Sequence, residues 1–197
     1  MVTGIENRYS KISEYYKQIS DYYLIDDIDS VAWYQKSSHC DGIEHFFGAE
    51  GASDYEVVAK AVKEMGFDTV FDIGCAHAFQ SECFLNEGIK YIGIDDTCEK
   101  KWNADKFDYL IGKYPFRIPN EFLSGKFVAV SRLCVGILIT DDASYKQISE
   151  TFPDLLVCNS DPSSKLQKYY DLVSVFENKN RENPRDSWKW YYYQKKN

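Results

Sequence analysis

Two short stretches hold residues whose types and spacing suit ligand chemistry. Val70 to Phe79 reads VFDIGCAHAF, and Ile92 to Asp96 reads IGIDD. In the first, an apolar run passes through Asp72 to Gly74 and then into small residues. Glycine takes the left-handed backbone of a tight turn without penalty and lets a ligand come close to the main chain, whose N–H groups then act as donors. Ala76 and Ala78 leave room beside that turn, and Cys75 and His77 complete it. Asp72 is placed either to hold the turn or to meet a ligand's ammonium group. Asp95 follows about 20 residues later, the spacing at which a carboxylate accepts hydrogen bonds from ribose hydroxyls, with Asp96 next to it. Ser131 ends a later apolar run and joins the same candidate set.

Such residues work together only if particular elements carry them. Thr69 to Gly74 is a β-rich apolar run that ends in glycine. A helix over roughly Gln80 to Asn86 follows, closed by Gly88, and Tyr91 to Asp95 reads as a second strand. Strand, tight turn, helix, strand is a βαβ unit, which implies parallel strands and a right-handed crossover. Ahead of it, Ser53 to Glu56 has the S-x-x-E form of a capping box, followed by the stripe Val57, Val58, Ala61, Val62 and Met65 and a stop at Gly66.

After the unit, Tyr109 to Ile118 is expected to hold a third strand, interrupted by Pro115. Phe127 to Ser131 is a fourth strand, Tyr145 to Phe152 a short helix, and Asp154 to Cys158 a fifth strand. Asp171 to Glu177 and Trp188 to Gln194 are β-rich runs with no helical period between them, so they pair as an antiparallel hairpin. Before all this, Ile5, Tyr9, Ile12, Tyr16, Ile19 and Tyr23 recur at helical steps, and an irregular aromatic stretch follows. The organisation expected is therefore an N-terminal helix and aromatic lid segment over 1–52 and one compact α/β unit over 53–197.

Composition narrows the function. The 197 residues carry 44% hydrophobic and 27% charged content, ordinary for a globular protein of one domain. The net charge of −8 repels phosphate backbones, so nucleic acid is disfavoured as a partner. No apolar run approaches the roughly 20 residues of a membrane span, and the N-terminus is polar. The six cysteines, at 40, 75, 83, 98, 134 and 158, form no CxxC pair and read as reduced thiols of a cytoplasmic protein. His39, Cys40 and His45 match no zinc spacing, and no metal is expected.

The segment Asp72-Ile73-Gly74-Cys75-Ala76-His77-Ala78 resembles motif I of the class I S-adenosylmethionine-dependent methyltransferases, whose form is (D/E)-x-G-x-G-x-G. The acidic residue and the first glycine match, and alanine stands at the second and third glycine positions. Asp95 and Asp96 sit where that family has its following acidic motif. The terminal hairpin also agrees with the family, so the resemblance extends over roughly Ser53 to Asn197, though only Val70 to Asp96 is motif-specific.

The resemblance implies an α/β Rossmann-like fold with a mostly parallel sheet, S-adenosylmethionine as cofactor, and methyl transfer to a small molecule or a protein side chain. It names no catalytic residue. No Asn/Asp-Pro-Pro-aromatic sequence follows the fourth strand, where Ser131-Arg132-Leu133-Cys134 stands, which argues against the usual amino methylation of DNA bases. An added Cβ at the second glycine position crowds the cofactor and resists positive φ. The alternative is a catalytically inactive protein of the same fold that serves as a cofactor-binding or interaction module. A nicotinamide fingerprint needs three glycines at a wider spacing, which this chain lacks. For the acceptor, the candidates are Trp33, Tyr34, His45 and Phe46 as a cover, with Arg132 and Cys134 as the floor. Arg132 suits a carboxylate-bearing acceptor.

Overall fold

The computed structural model describes residues 51–75, 78, 80–96, 105–112, 114–132, 134–136, 138–158, 165–177 and 189–197. Almost all of them belong to one unit, Glu56–Asn197. The N-terminal helix, the aromatic lid segment, the histidine–cysteine cluster and the loop from Asn178 to Asp186 lie outside these residues.

Helix α1 spans Gly51–Glu64 and buries Val58, Ala59 and Val62 completely. Helix α1 is described from Gly51 onward, so Ser53, the first residue of the capping-box reading, stands within helical backbone. The stop is as expected. Gly66 has φ 74°, the Phe67 amide donates to the Val62 carbonyl at 3.1 Å, and the Gly66 amide to the Lys63 carbonyl at 2.9 Å. This is a Schellman motif, and it recurs at Gly88 (φ 71°), where Ile89 donates to Phe84 and Gly88 to Leu85, both at 3.0 Å.

Between these stops lies β1 (Thr69–Ile73), buried at every position, and helix α2 (Ser81–Asn86). There follow β2 (Lys90–Asp95), β3 (Asp108–Ile111), β4 (Phe127–Ser131), α3 (Asp142–Thr151), β5 (Asp154–Cys158), β6 (Tyr170–Glu177) and β7 (Lys189–Lys195). Among the described residues the sheet has seven strands, in the order β3-β2-β1-β4-β5-β7-β6. The first five are parallel, and β7 is antiparallel to both β5 and β6. No helix among the described residues is long and apolar enough to cross a membrane.

Strand alternation divides the core into two faces. Phe71 and Ile73 of β1 share one face with Ile92 and Ile94 of β2, and they join Tyr145, Ile148 and Phe152 from α3 and its end. The rings of Phe71 and Phe152 lie 5.1 Å apart. Val70 and Asp72 face the other way, toward the side where Tyr91 and Phe84 stack with centroids 5.8 Å apart.

Two further boundaries differ from expectation. The third strand covers only Asp108–Ile111, and Pro115 falls beyond it. It is an edge strand with Tyr109 and Ile111 exposed, so burial imposes little pattern on it. Helix α3 starts at Asp142, three residues earlier than read, because the Asp141 carboxylate caps it by accepting from the Ser144 amide at 2.9 Å. The opposite edge, β6, exposes Leu172, Val173 and Val175 and carries a bulge between Leu172 and Ser174.

Candidate functional site

The strand order reverses at β1. The chain proceeds outward from β1 to β2 and β3, then returns to place β4 on the other side of β1. In an open parallel sheet, such a switch point leaves a crevice outside the carboxyl ends of the strands, and ligands bind there. The residues that follow β1, β2 and β4 meet at this edge.

Gly74 ends β1 with φ 81° and is exposed. Its amide and that of Cys75 donate to the Ile94 carbonyl at 2.8 and 3.2 Å, which fixes the turn against β2. One face of Gly74 is closed by Cys134 from the turn after β4. A Cβ built on Gly74 would lie 2.7 Å from the Cys134 Cβ and 3.1 Å from its Sγ. Cys75 is buried and turns toward β2, where a Cβ on Gly93 would meet its Sγ at 2.8 Å. Two glycines thus make room for two cysteine side chains at the base of the crevice.

Asp72 is 1% exposed. Its Oδ2 accepts from the Gln80 Nε2 and from the Tyr91 hydroxyl, each at 2.5 Å. These bonds tie Asp72 to the start of α2 and to β2. Gln80 also donates to the Cys75 carbonyl at 3.1 Å. The same carbonyl accepts from the Ala78 amide at 2.8 Å, closing a turn in which Ala78 has φ 60°. Ala78, at the third glycine position, thus holds a left-handed backbone that a residue with a Cβ resists. Ala76 and His77 lie outside the described residues, as do Trp33, Tyr34, His45 and Phe46.

Ser131 is buried at the end of β4. Its hydroxyl donates to the Ile73 carbonyl at 3.0 Å and accepts from the Val135 amide at 2.9 Å. It ties the end of β1 to the turn after β4, which keeps Cys134 against Gly74. The Cys134 carbonyl in turn accepts from the Leu138 and Ile139 amides, both at 2.9 Å. Arg132 is also buried, at 5% exposure. Asp95 is half-buried and Asp96 exposed at the end of β2.

The electrostatics of this edge show in the Cys134 thiol. Burial pushes its pKa up to about 12, and the charges of Asp95, Asp96 and Asp72 push in the same direction. Three carboxylates therefore act on one spot, which favours a cation and disfavours a thiolate. Cys134 is a packing residue with its proton held, not an activated nucleophile. Among the described residues, no group of histidine, cysteine and carboxylate side chains is arranged to hold a metal.

Gln80 and Tyr91 were not among the residues singled out in the sequence. The available signal is strand parity: Tyr91 stands two residues before Gly93, which pairs with Asp72, and so shares a face with it.

Comparison with solved structures decides the architecture. The N-methyltransferase NodS from Bradyrhizobium japonicum, in complex with S-adenosyl-L-homocysteine, aligns with a TM-score of 0.54 at 9% identity, over 75% of this chain and 88% of that one. The fold is that of the S-adenosylmethionine-dependent methyltransferases. A TehB-like methyltransferase from Corynebacterium glutamicum aligns at 0.53 and 12% identity, over 71% of this chain and 88% of that one. The 1,6-didemethyltoxoflavin-N1-methyltransferase of Burkholderia thailandensis, with 1,6-didemethyltoxoflavin and S-adenosylhomocysteine bound, aligns at 0.53 and 14% identity, over 82% of this chain and 85% of that one. No family model and no curated protein matches the sequence. The methyltransferase fold brings Gly74, Cys75, Ala78, Asp72, Asp95, Asp96, Ser131 and Cys134 to one edge.

Proposed function

We propose that this chain binds S-adenosylmethionine at the crevice beside Gly74 and transfers its methyl group to a small molecule or a protein side chain. The observation that carries the reading is the meeting of an open, left-handed Gly74 with Asp95 and Asp96 at the switch point of a methyltransferase fold. Methyltransferases of this fold are known with S-adenosylhomocysteine bound, among them the NodS and didemethyltoxoflavin enzymes. The residues present fit such a cofactor. A sulfonium with an attached ammonium is cationic, and the carboxylates that raise the Cys134 pKa favour positive charge. Asp95 is the acceptor proposed for the ribose hydroxyls, with Asp96 beside it. Gly74 and Cys75 offer the close main chain, with Ala76, His77 and Ala78 completing the loop, and Asp72 and Ser131 hold its geometry.

When bound, S-adenosylmethionine supplies an electrophilic methyl group, and the acceptor's lone pair takes it as the sulfonium becomes a thioether. Such a reaction needs chiefly alignment of the nucleophile, so the chain's work is to orient and to exclude water. The acceptor side is assigned to Arg132 and Cys134 after β4, with Trp33, Tyr34, His45 and Phe46 as the cover. Arg132 would receive a carboxylate-bearing acceptor. The setting proposed is the cytoplasm.

Titration calorimetry with S-adenosylmethionine and S-adenosylhomocysteine tests the reading. Binding by the parent protein, weakened by Asp95→Ala, supports it. Absence of binding would leave a methyltransferase fold without its cofactor, serving as an interaction module. Trp33→Ala separates cover from packing: it should weaken ligand binding more than it lowers the melting temperature.

A further inference from the structure

We propose that Gln80 is a positioning residue that holds the Cys75 carbonyl on which the Ala78 amide closes, and so sets cofactor affinity. The consequence for affinity rests on the S-adenosylmethionine reading; the locking of the turn does not.

The physical case begins at Ala78. It is fully buried and held at φ 60°, a left-handed conformation that an L residue with a Cβ resists. Residues persist in such conformations only where their surroundings over-determine them. Here the closing bond of the turn, from the Ala78 amide to the Cys75 carbonyl, shares its acceptor with the Gln80 side chain. The second acceptor of the Gln80 amide is Asp72, in a strand buried at every position. Tyr91, from the next strand, donates to the same carboxylate oxygen. A continuous path therefore runs from β2 through Tyr91, Asp72 and Gln80 to the carbonyl on which the left-handed turn closes.

The chemistry of the amide is specific. A primary amide nitrogen carries two N–H donors, and both acceptors here are met by that one nitrogen. A glutamate would set a carboxylate against two acceptors, and a methionine would offer none. Gln80 is itself only 4% exposed, so water does not readily take over either bond.

The test is a double-mutant cycle on the full chain with Gln80→Met, Ala78→Gly and the pair, read in two ways. The first readout is hydrogen exchange of the residue-78 amide without any ligand. Gln80→Met should reduce its protection about tenfold or more, and adding Ala78→Gly should restore most of it, because glycine needs no external support at positive φ. The second readout is the Kd for S-adenosylhomocysteine, which Gln80→Met should weaken about tenfold in the parent and less than about threefold in the Ala78→Gly background. Equal losses in both backgrounds would mark Gln80 as ordinary packing and overturn the proposal, as would unchanged exchange at residue 78. A parent protein that shows the exchange pattern but binds no S-adenosylhomocysteine would refute the cofactor reading and leave the lock standing. If Gln80→Met does not fold, Gln80→Asn, which keeps the amide one methylene short of its acceptors, carries the same comparison.

Discussion

Gly74→Ala is the substitution for which the structure gives the most definite magnitude. Two costs act together. The backbone sits at φ 81°, where an L residue costs about 1–2 kcal/mol. The new Cβ would also lie 2.7 Å from the Cys134 Cβ, a separation that requires movement of the turn after β4 and not a mere change of rotamer. Overpacking of this kind costs about 1–3 kcal/mol. Against these, alanine restricts the unfolded chain and returns about 0.4–1 kcal/mol. The net expectation is a loss of roughly 2–4 kcal/mol. For a chain of this size each kcal/mol shifts the midpoint by about 2–4 °C, so the melting temperature should fall by roughly 5–15 °C. Urea denaturation followed by circular dichroism gives the free energy, and Cys134→Gly separates the two costs. If crowding against Cys134 matters, the double variant should show a favourable coupling of about 1 kcal/mol or more. A loss below about 0.5 kcal/mol for Gly74→Ala, or strict additivity with Cys134→Gly, would refute the geometry argued for this turn.

Asp95→Ala should weaken S-adenosylhomocysteine binding by about ten- to a hundredfold in calorimetry, the value of bonds to a charged acceptor, and unchanged affinity would remove Asp95 from the site. The Cys134 thiol, with its pKa pushed up to about 12, should resist iodoacetamide at pH 8 in the folded protein and react on unfolding, as mapped by peptide mass spectrometry. Its linkage has a definite sign. Below the ordinary thiol pKa of about 8.5 both states keep the proton and the contribution is complete. As pH rises from there toward 12, the unfolded state releases its proton first and stability falls. Replacing Cys134 by alanine should flatten that alkaline decline. Tyr91→Phe removes a donor from the buried Asp72 carboxylate and should cost about 1.5–3 kcal/mol, against about 1 for Tyr170→Phe, whose hydroxyl meets the neutral Phe152 carbonyl at 2.6 Å. Equal losses in denaturant titrations would show that the charge on Asp72 is not what Tyr91 serves.

Strands buried on both faces were the most legible elements. Phe127–Ser131 and Asp154–Cys158 have the bounds read from the sequence, because a doubly covered parallel strand appears as an unbroken apolar run. The glycine stops were equally clear, since Gly66 and Gly88 do what only glycine does cheaply. The third strand was blurred because an exposed edge imposes no pattern, and the start of α3 was missed because Asp142, Ala143 and Ser144 carry no apolar stripe. At the site, Gly74 and Asp95 were readable as local motifs. The bonds among Asp72, Gln80 and Tyr91 were not, since they depend on the register between β1 and β2, which brings together residues 19 apart. The strain expected at Ala76, the second glycine position, falls outside the described residues; Ala78 takes a left-handed backbone where its amide closes on the Cys75 carbonyl.

The position of β7 has a consequence for how the molecule comes into being. It follows both β5 and β6 in the chain, yet it lies between them, and they make no pairing with each other. Until β7 arrives, β5 presents an open ladder of amides and carbonyls along an apolar strand, and β6 has no neighbour among the described strands. The delay spans some 30 residues of synthesis beyond Cys158, which takes roughly 2–6 seconds at ordinary elongation rates. During that interval the nascent sheet has a sticky border of the kind that recruits foreign strands. Nonsense mutations or proteolytic nicks that remove Lys189–Lys195 would make the interval permanent. Their expected outcome is insoluble protein from a chain whose crevice residues are all intact.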